Sequence, residues 1–178
     1  MRLPAIFLAP LLGLAADAAQ SEVVKETALQ PNYTSSSGVS IYNPADFFNA
    51  TGPWSLMSQA GDVLYIAGMR GIFRENSTLA PVGLPRIRLA YQNMAALAAM
   101  VGADVFSCVR LVVYTTDMYR YRPLCNQVQV ELWGDDKSRY PPRTIIEVDR
   151  LNEDDIVEVE GTFYVRHLAN NGKDKCHQ

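Results

Sequence analysis

This sequence predicts an α+β fold in which two helices pack on one face of a mixed sheet, and three observations predict it. Residues 143–149 and 156–165 alternate with period two and are joined by a polar connection of turn-forming Asn and Asp, which gives two strands. Residues 108–115 are apolar and β-branched, which suits an inner strand. Two further stretches repeat apolar side chains at spacings of three and four, as helices do. The order β-β-α-β-α-β-β lets both helices cover one face of one sheet.

From the start of the chain, residues 1–18 predict a signal peptide rather than fold. Arg2 supplies the positive charge, residues 3–16 an apolar run interrupted by Pro10, and Ala16-Asp17-Ala18 a small-x-small cleavage signal. The run is too short and too broken for a stable membrane span, with a retained anchor as the alternative. Three sequons, at Asn32, Asn49 and Asn76, all fall in segments expected to be loop or extension and are expected glycosylation sites of a secreted chain. Residues 19–51 predict a mostly irregular extension, within which 37–42 adds a short edge strand.

Gly52-Pro53 punctuates the entry to a hairpin of strands 55–59 and 63–68 around a turn at Ala60-Gly61-Asp62. Residues 72–83 predict a loop. Leu84-Pro85 opens the clearest helix, with Ile87, Tyr91, Met94, Leu97 or Ala98, and Val101 on one stripe and Gly102 closing it. Pro123 fits the first turn of a second helix, on which Leu124, Val128 and Leu132 repeat at four before Gly134. Residues 170–178 have little apolar content and predict a disordered tail, leaving 52–169 as the domain.

The two closing strands divide their side chains by face. Thr144, Ile146 and Val148 share one side of the first, and Val157, Val159, Phe163 and Val165 one side of the second, which predicts the core face. The other side gathers Arg143 with Glu147, Asp149, Glu158 and Glu160. That is more charge than a half-buried sheet needs for solubility, although a wet sheet face alone also carries charges.

Composition narrows the function. The 178 residues are 48% hydrophobic and 20% charged, ordinary for a globular domain, and the net charge of −3 argues against a nucleic-acid binder, which needs a basic stripe. Cys108 and Cys125 sit in apolar patterns and are expected to be buried, while Cys176 in the polar tail either pairs between chains or stays free. His167 and His177 are too few and too peripheral for a metal site, so neither metal nor cofactor is expected.

The motifs point further. PPRTIIEVDRLNEDDIVEVEGTFYV over 141–165, with Arg143 in a Pro-x-Arg-Thr setting and Val-Glu-Val-Glu after a short polar link, resembles the closing motif of the Rid (YjgF-like) reactive-intermediate deaminases, the RutC family. Asn126 lies seven residues before Trp133 and Trp133 ten before Arg143, in agreement with that family's Asn, aromatic and Arg positions. LVVYTTDM at 111–118 resembles its central strand, and GPWSLMSQAGDVLYIAGM at 52–69 its Gly-Pro-Tyr hairpin and Ser-Gly-Gln strand. The resemblance implies a chorismate-mutase-like (Rid-type) fold, a homotrimer, and ligand clefts between subunits. It implies that Arg143 binds the carboxylate of an imino or enamino acid, which suits a planar bidentate fork. It implies that Glu158 positions water and moves protons while the imine becomes a carbonyl compound and ammonia. Asn126 matches a polar cleft residue and Gly68 a glycine that a ligand approaches closely. The bland alternatives are that Arg143 merely pairs with Glu147 or Glu158, that Asn126 caps or satisfies a helix neighbour, and that Gly68 eases a strand end.

The departures matter as well. Trp54 stands where tyrosine is usual, Ala67 for a serine, Met69 for glutamine and Ile145 for a frequent cysteine, so a drier, more apolar cleft is expected, with Trp54 as an aromatic wall. Three functions follow: a secreted or lumenal imine/enamine deaminase, a diverged biosynthetic enzyme acting on an aromatic or polyketide-type intermediate, and a non-catalytic trimer that binds a small metabolite. Endoribonuclease or translation-inhibitor activity is disfavoured, because a secreted acidic chain lacks both a basic patch and access to ribosomes.

Overall fold

The computed structural model describes residues 29–165. The signal peptide, the start of the extension, His167, His177, Cys176 and the tail lie outside the described residues. Strands β1 (Tyr33–Thr34), β2 (Val39–Tyr42), β3 (Met57–Ala60), β4 (Val63–Met69), β5 (Cys108–Thr115), β6 (Arg143–Glu147) and β7 (Val157–Tyr164) form one sheet in the order β1-β2-β3-β4-β7-β5-β6. Only β5 and β6 pair in parallel, so the sheet is mixed as predicted. Helices α1 (Leu84–Ala99) and α2 (Met118–Trp133) supply the second layer.

Helix α1 follows its sequence signals: Pro85 lies in its first turn, Ile87, Tyr91, Met94, Leu97 and Ala98 are buried, and Gly102 ends it at φ 81°. Helix α2 corrects the expectation that Pro123 opens it. The Asp117 side chain accepts from the Arg120 N–H at 2.8 Å and Glu147 Oε2 from the Met118 N–H at 2.6 Å, so capping starts the helix at Met118. Pro123 then lies inside it, near enough to the N-terminus that few intrahelical bonds are at stake.

The layers meet closely at Gly161 on β7. A Cβ there would come 2.7 Å from Met94 Sδ and would collide with the Phe163 ring. Gly161→Ala is therefore expected to destabilise the protein by about 1–3 kcal/mol, the usual cost of overpacking a core. A urea midpoint that drops at constant slope will show it. A bidentate pair, Arg88 Nε to Glu131 Oε2 at 2.7 Å and Nη2 to Oε1 at 2.9 Å, clips α1 to α2 on the surface, and the hydrogen bond from Arg88 holds the Glu131 carboxyl down at about 2. Trp133 is buried and donates to the Val105 carbonyl at 2.9 Å. Cys108 and Cys125 are buried free thiols, both pushed up to about 11 by burial.

Two expectations change. Residues 29–51 are not simply an irregular extension: β1 and β2 continue the sheet, and Phe47 and Phe48 are buried against the core. The face assignment of β6 is reversed. Arg143 pairs with Leu111 and Ile145 with Val113, both fully buried under the helices, whereas Ile146 pairs with Tyr114 on the uncovered face and is 39% exposed. With an isoleucine on each face, period two cannot choose the buried side of this edge strand, and a one-residue slip flips every side chain. Glu158 also pairs with Tyr114, so it shares the uncovered face with Ile146 and is opposite Arg143. The expected gathering of Arg143 with Glu158 and Glu160 on one face does not occur within a chain. Glu147, expected beside them, caps α2 instead.

Candidate functional site

Strand β4 ends in Ala67-Gly68-Met69 beside β7, and the ladder between them shifts register between Ile66 and Met69. The irregularity opens a cavity of about 560 Å³ whose lining includes Trp54, Ala67, Gly68, Arg70 and Glu158. Gly68 lets the Glu158 carboxyl approach the strand backbone closely. A Cβ on it would sit 3.2 Å from the Glu158 carboxyl carbon and from Oε1, so a side chain would push the carboxylate out of place. Trp54, 40% exposed, stands at the seam between this cavity and a second, of about 580 Å³, on the uncovered sheet face where Tyr65, Arg110 and Glu160 lie.

Four predicted residues, Trp54, Ala67, Gly68 and Glu158, thus meet at one cavity. Arg143 and Asn126 do not join them. Arg143 is half-buried on the helix side, where Nη1 donates to Gln129 Oε1 and Nη2 to Asn126 Oδ1, each at 2.7 Å. It makes no ion pair among the described residues, so pairing with Glu147 or Glu158 is excluded for the single chain. Two neutral amides hold the guanidinium fork and leave its charge uncompensated. Beneath it the buried Tyr91 hydroxyl has no hydrogen-bond partner among the described residues; burial raises its pKa, nearby Cys125 adds to the rise and Arg143 opposes it.

At the cavity, burial raises the Glu158 pKa, the charge of Arg70 pulls it back, and Asp155 and Glu160 push it up again. A carboxyl held above its ordinary range is suited to taking and returning protons. Arg70 is itself buried. Its Nε donates to Asp155 Oδ2 at 2.7 Å and its Nη2 to Glu153 Oε2 at 3.1 Å, while Arg86 Nη1 reaches Asp155 Oδ1 at 3.3 Å.

The cavity lining combines this network with the apolar Phe48, Trp54, Ala67 and Ile72. Met69 is fully buried in the core instead of walling the cavity, Ile145 packs toward the core, and Arg70, Glu153, Asn152, Ser77 and Thr51 line the cavity with polar groups. Sequence reasoning missed Arg70, Asp155 and Gln129. A charge directly after the apolar strand β4 was the signal for Arg70, and the spacing of three from Asn126 on one helix face the signal for Gln129. Among the described residues no group of three or more His, Cys, Asp or Glu side chains is arranged to hold a metal, and no helix is long and apolar enough to cross a membrane.

Residues 45–165 match the Endoribonuclease L-PSP family. The chain belongs to that family. Its relatives include a RutC family protein of Pyrococcus horikoshii, 29% identical over 114 residues that make up 64% of this chain and 87% of that one. TdcF of Escherichia coli, named for reactive-intermediate deamination, is 22% identical over 111 residues, 62% of this chain and 85% of its own. Among solved structures, a protein of Rhodopseudomonas palustris described as a probable translation initiation inhibitor is 39% identical with TM-score 0.68, over 72% of this chain and 98% of that one. TdcF with bound serine superposes at TM-score 0.65 and 21% identity, over 71% and 98%. Such likeness establishes this L-PSP member as a Rid-type fold. The family match begins at residue 45, ahead of the boundary at 52 drawn from Gly52-Pro53, and so takes in the buried Phe47 and Phe48.

Proposed function

We propose that this L-PSP family protein hydrolyses an imine or enamine to a carbonyl compound and ammonia, in a cleft completed by two copies of the chain. One observation carries the reading: Arg143 and Glu158 are each poised for chemistry, yet face opposite sides of the same sheet. A second copy that packs against the uncovered face brings its own guanidinium toward the Glu158 cavity. Tyr65, Ile146 and Tyr164, 50%, 39% and 49% exposed on that uncovered face, support such packing, and a homotrimer closes the arrangement.

Arg143 grips the substrate carboxylate. Glu158, as a carboxylate, takes a proton from water as the water oxygen bonds to the imine carbon, and passes that proton to the imine nitrogen to give a carbinolamine. Glu158 then takes the proton of the new hydroxyl as the C=O forms and hands it to the departing nitrogen, so the C–N bond breaks and ammonia leaves. Arg2, the apolar run at 3–16 and the three sequons support a secretory route. Asn32, Asn49 and Asn76 are all exposed, in keeping with glycosylation.

The test is 2-iminopropionate generated in situ by an amino-acid oxidase acting on alanine. Accelerated formation of pyruvate and ammonia by the assembled protein is the expected result, and decay at the buffer rate would remove the proposal. The exposed indole of Trp54 at the cavity rim favours the second reading, a diverged enzyme acting on an aromatic intermediate, if a planar ligand binds there without hydrolysis.

A further inference from the structure

We infer that Arg70 is the specificity-determining residue of the Glu158 cavity, and that it selects substrates carrying a second, distal carboxylate. The inference rests on the proposed imine hydrolysis and adds the substrate class. Arg70 is 7% exposed, yet it lines the same cavity as Glu158, Gly68 and Trp54. A guanidinium has five N–H donors in a fork. Two are used on one edge, Nε toward Asp155 and Nη2 toward Glu153, and Nη1 makes no hydrogen bond among the described residues.

The buried pairing is incomplete in the same sense. Two guanidiniums, Arg70 and Arg86, share the Asp155 carboxylate, whose side chain is 0% exposed. The other acid, Glu153, has a side chain that is 62% exposed, so water screens its charge. Glu158 makes no ion pair with Arg70 among the described residues. The cavity therefore presents an incompletely paired guanidinium beside a carboxylate that the proposed chemistry uses, and an anion on Nη1 completes the fork. With Arg143 of a second copy on the α-carboxylate and Arg70 on a distal one, the fitting substrates are imines of amino dicarboxylic acids. A purely structural Arg70 would hold the 152–155 connection through Nε and Nη2 and would leave substrate preference untouched.

The test compares iminosuccinate, made in situ by oxidation of aspartate, with 2-iminopropionate. In the unmodified oligomer kcat/KM is expected to be at least about tenfold higher for iminosuccinate, one charge-assisted hydrogen bond's worth of discrimination. Arg70→Met is expected to abolish that preference, read as the ratio of the two kcat/KM values, because its effect on Glu158 falls on both substrates alike. Should Arg70→Met fold poorly, succinate and propionate are compared as ligands of the unmodified oligomer by calorimetry, which requires neither turnover nor a variant. Tighter binding of succinate supports the assignment and equal binding overturns it. Hydrolysis of neither imine with succinate still preferred would sink the hydrolase reading alone. Hydrolysis of both at equal kcat/KM would sink the role of Arg70 alone.

Discussion

Arg143→Ala is expected to lower kcat/KM for 2-iminopropionate by roughly 10²- to 10³-fold. The fork loses two charge-assisted hydrogen bonds to the substrate carboxylate, each worth about 1.5–3 kcal/mol when the partner is charged. Part is recovered when water solvates the freed carboxylate, and a factor of ten corresponds to about 1.4 kcal/mol. Arg143→Lys should restore little, because a point charge cannot reproduce a planar bidentate contact. Fold loss is separable from this effect. Gln129 is 6% exposed and would lose the partner of its amide oxygen, so about 1–3 kcal/mol of stability goes with the arginine. A melting curve beside the kinetics distinguishes the two. The decisive arm uses the opposed faces of the sheet. If each cleft takes its arginine and its glutamate from different copies, as proposed, neither Arg143→Ala nor Glu158→Gln alone retains a complete cleft, and co-assembly of the two is expected to restore about a quarter of the interfaces. No recovered activity in mixed oligomers would place both residues in a cleft within one chain, contrary to the register.

The layers were legible in the sequence because their signals are redundant. Helix α1 has a proline near its start, a glycine after its end and an apolar stripe of Ile87, Tyr91, Met94 and Leu97 between them, and all of these agree. Helix α2 was misplaced at its start because two signals conflict there: proline prefers a first turn, but Asp117 and the distant Glu147 cap the chain earlier, and a cap supplied from β6 has no local signature. The face of β6 was illegible for a different reason. Ile145 and Ile146 satisfy either register, and only its parallel pairing with β5 fixes which one is buried. Glu158, Gly68, Trp54 and Ala67 were found together because motif order preserves neighbours along β4 and β7. Arg70 was passed over because its partners Asp155 and Glu153 lie 85 and 83 positions away, and sequence spacing carries no record of such a contact.

Glu158→Gln is expected to reduce kcat by roughly 10²- to 10⁴-fold, the usual contribution of a positioned general acid-base group, with KM changed little because the substrate carboxylate is held elsewhere. The same substitution should stabilise the protein at neutral pH, and the sign follows from the raised pKa. Between the ordinary glutamate value of about 4.3 and the raised folded value, the native chain holds a proton that the unfolded chain has released. Stability from this group is therefore intact below about pH 4 and is lost as pH rises through the folded pKa. Glutamine does not titrate, so the gain in Tm of Glu158→Gln over the unmodified protein should be near zero at pH 4 and should grow toward pH 7. For the proposed activity the mirror image is expected: the acid limb of kcat/KM should lie above the ordinary glutamate range, and Arg70→Met, which removes the opposing charge, should move that limb further up. In the proposed cleft a second copy's Arg143 would also lower the Glu158 pKa, so the stabilisation by Glu158→Gln should then be larger in an Arg143→Ala background than alone. Equal gains in both backgrounds would mean that the guanidinium never comes near the carboxylate, and the shared cleft would have to be abandoned.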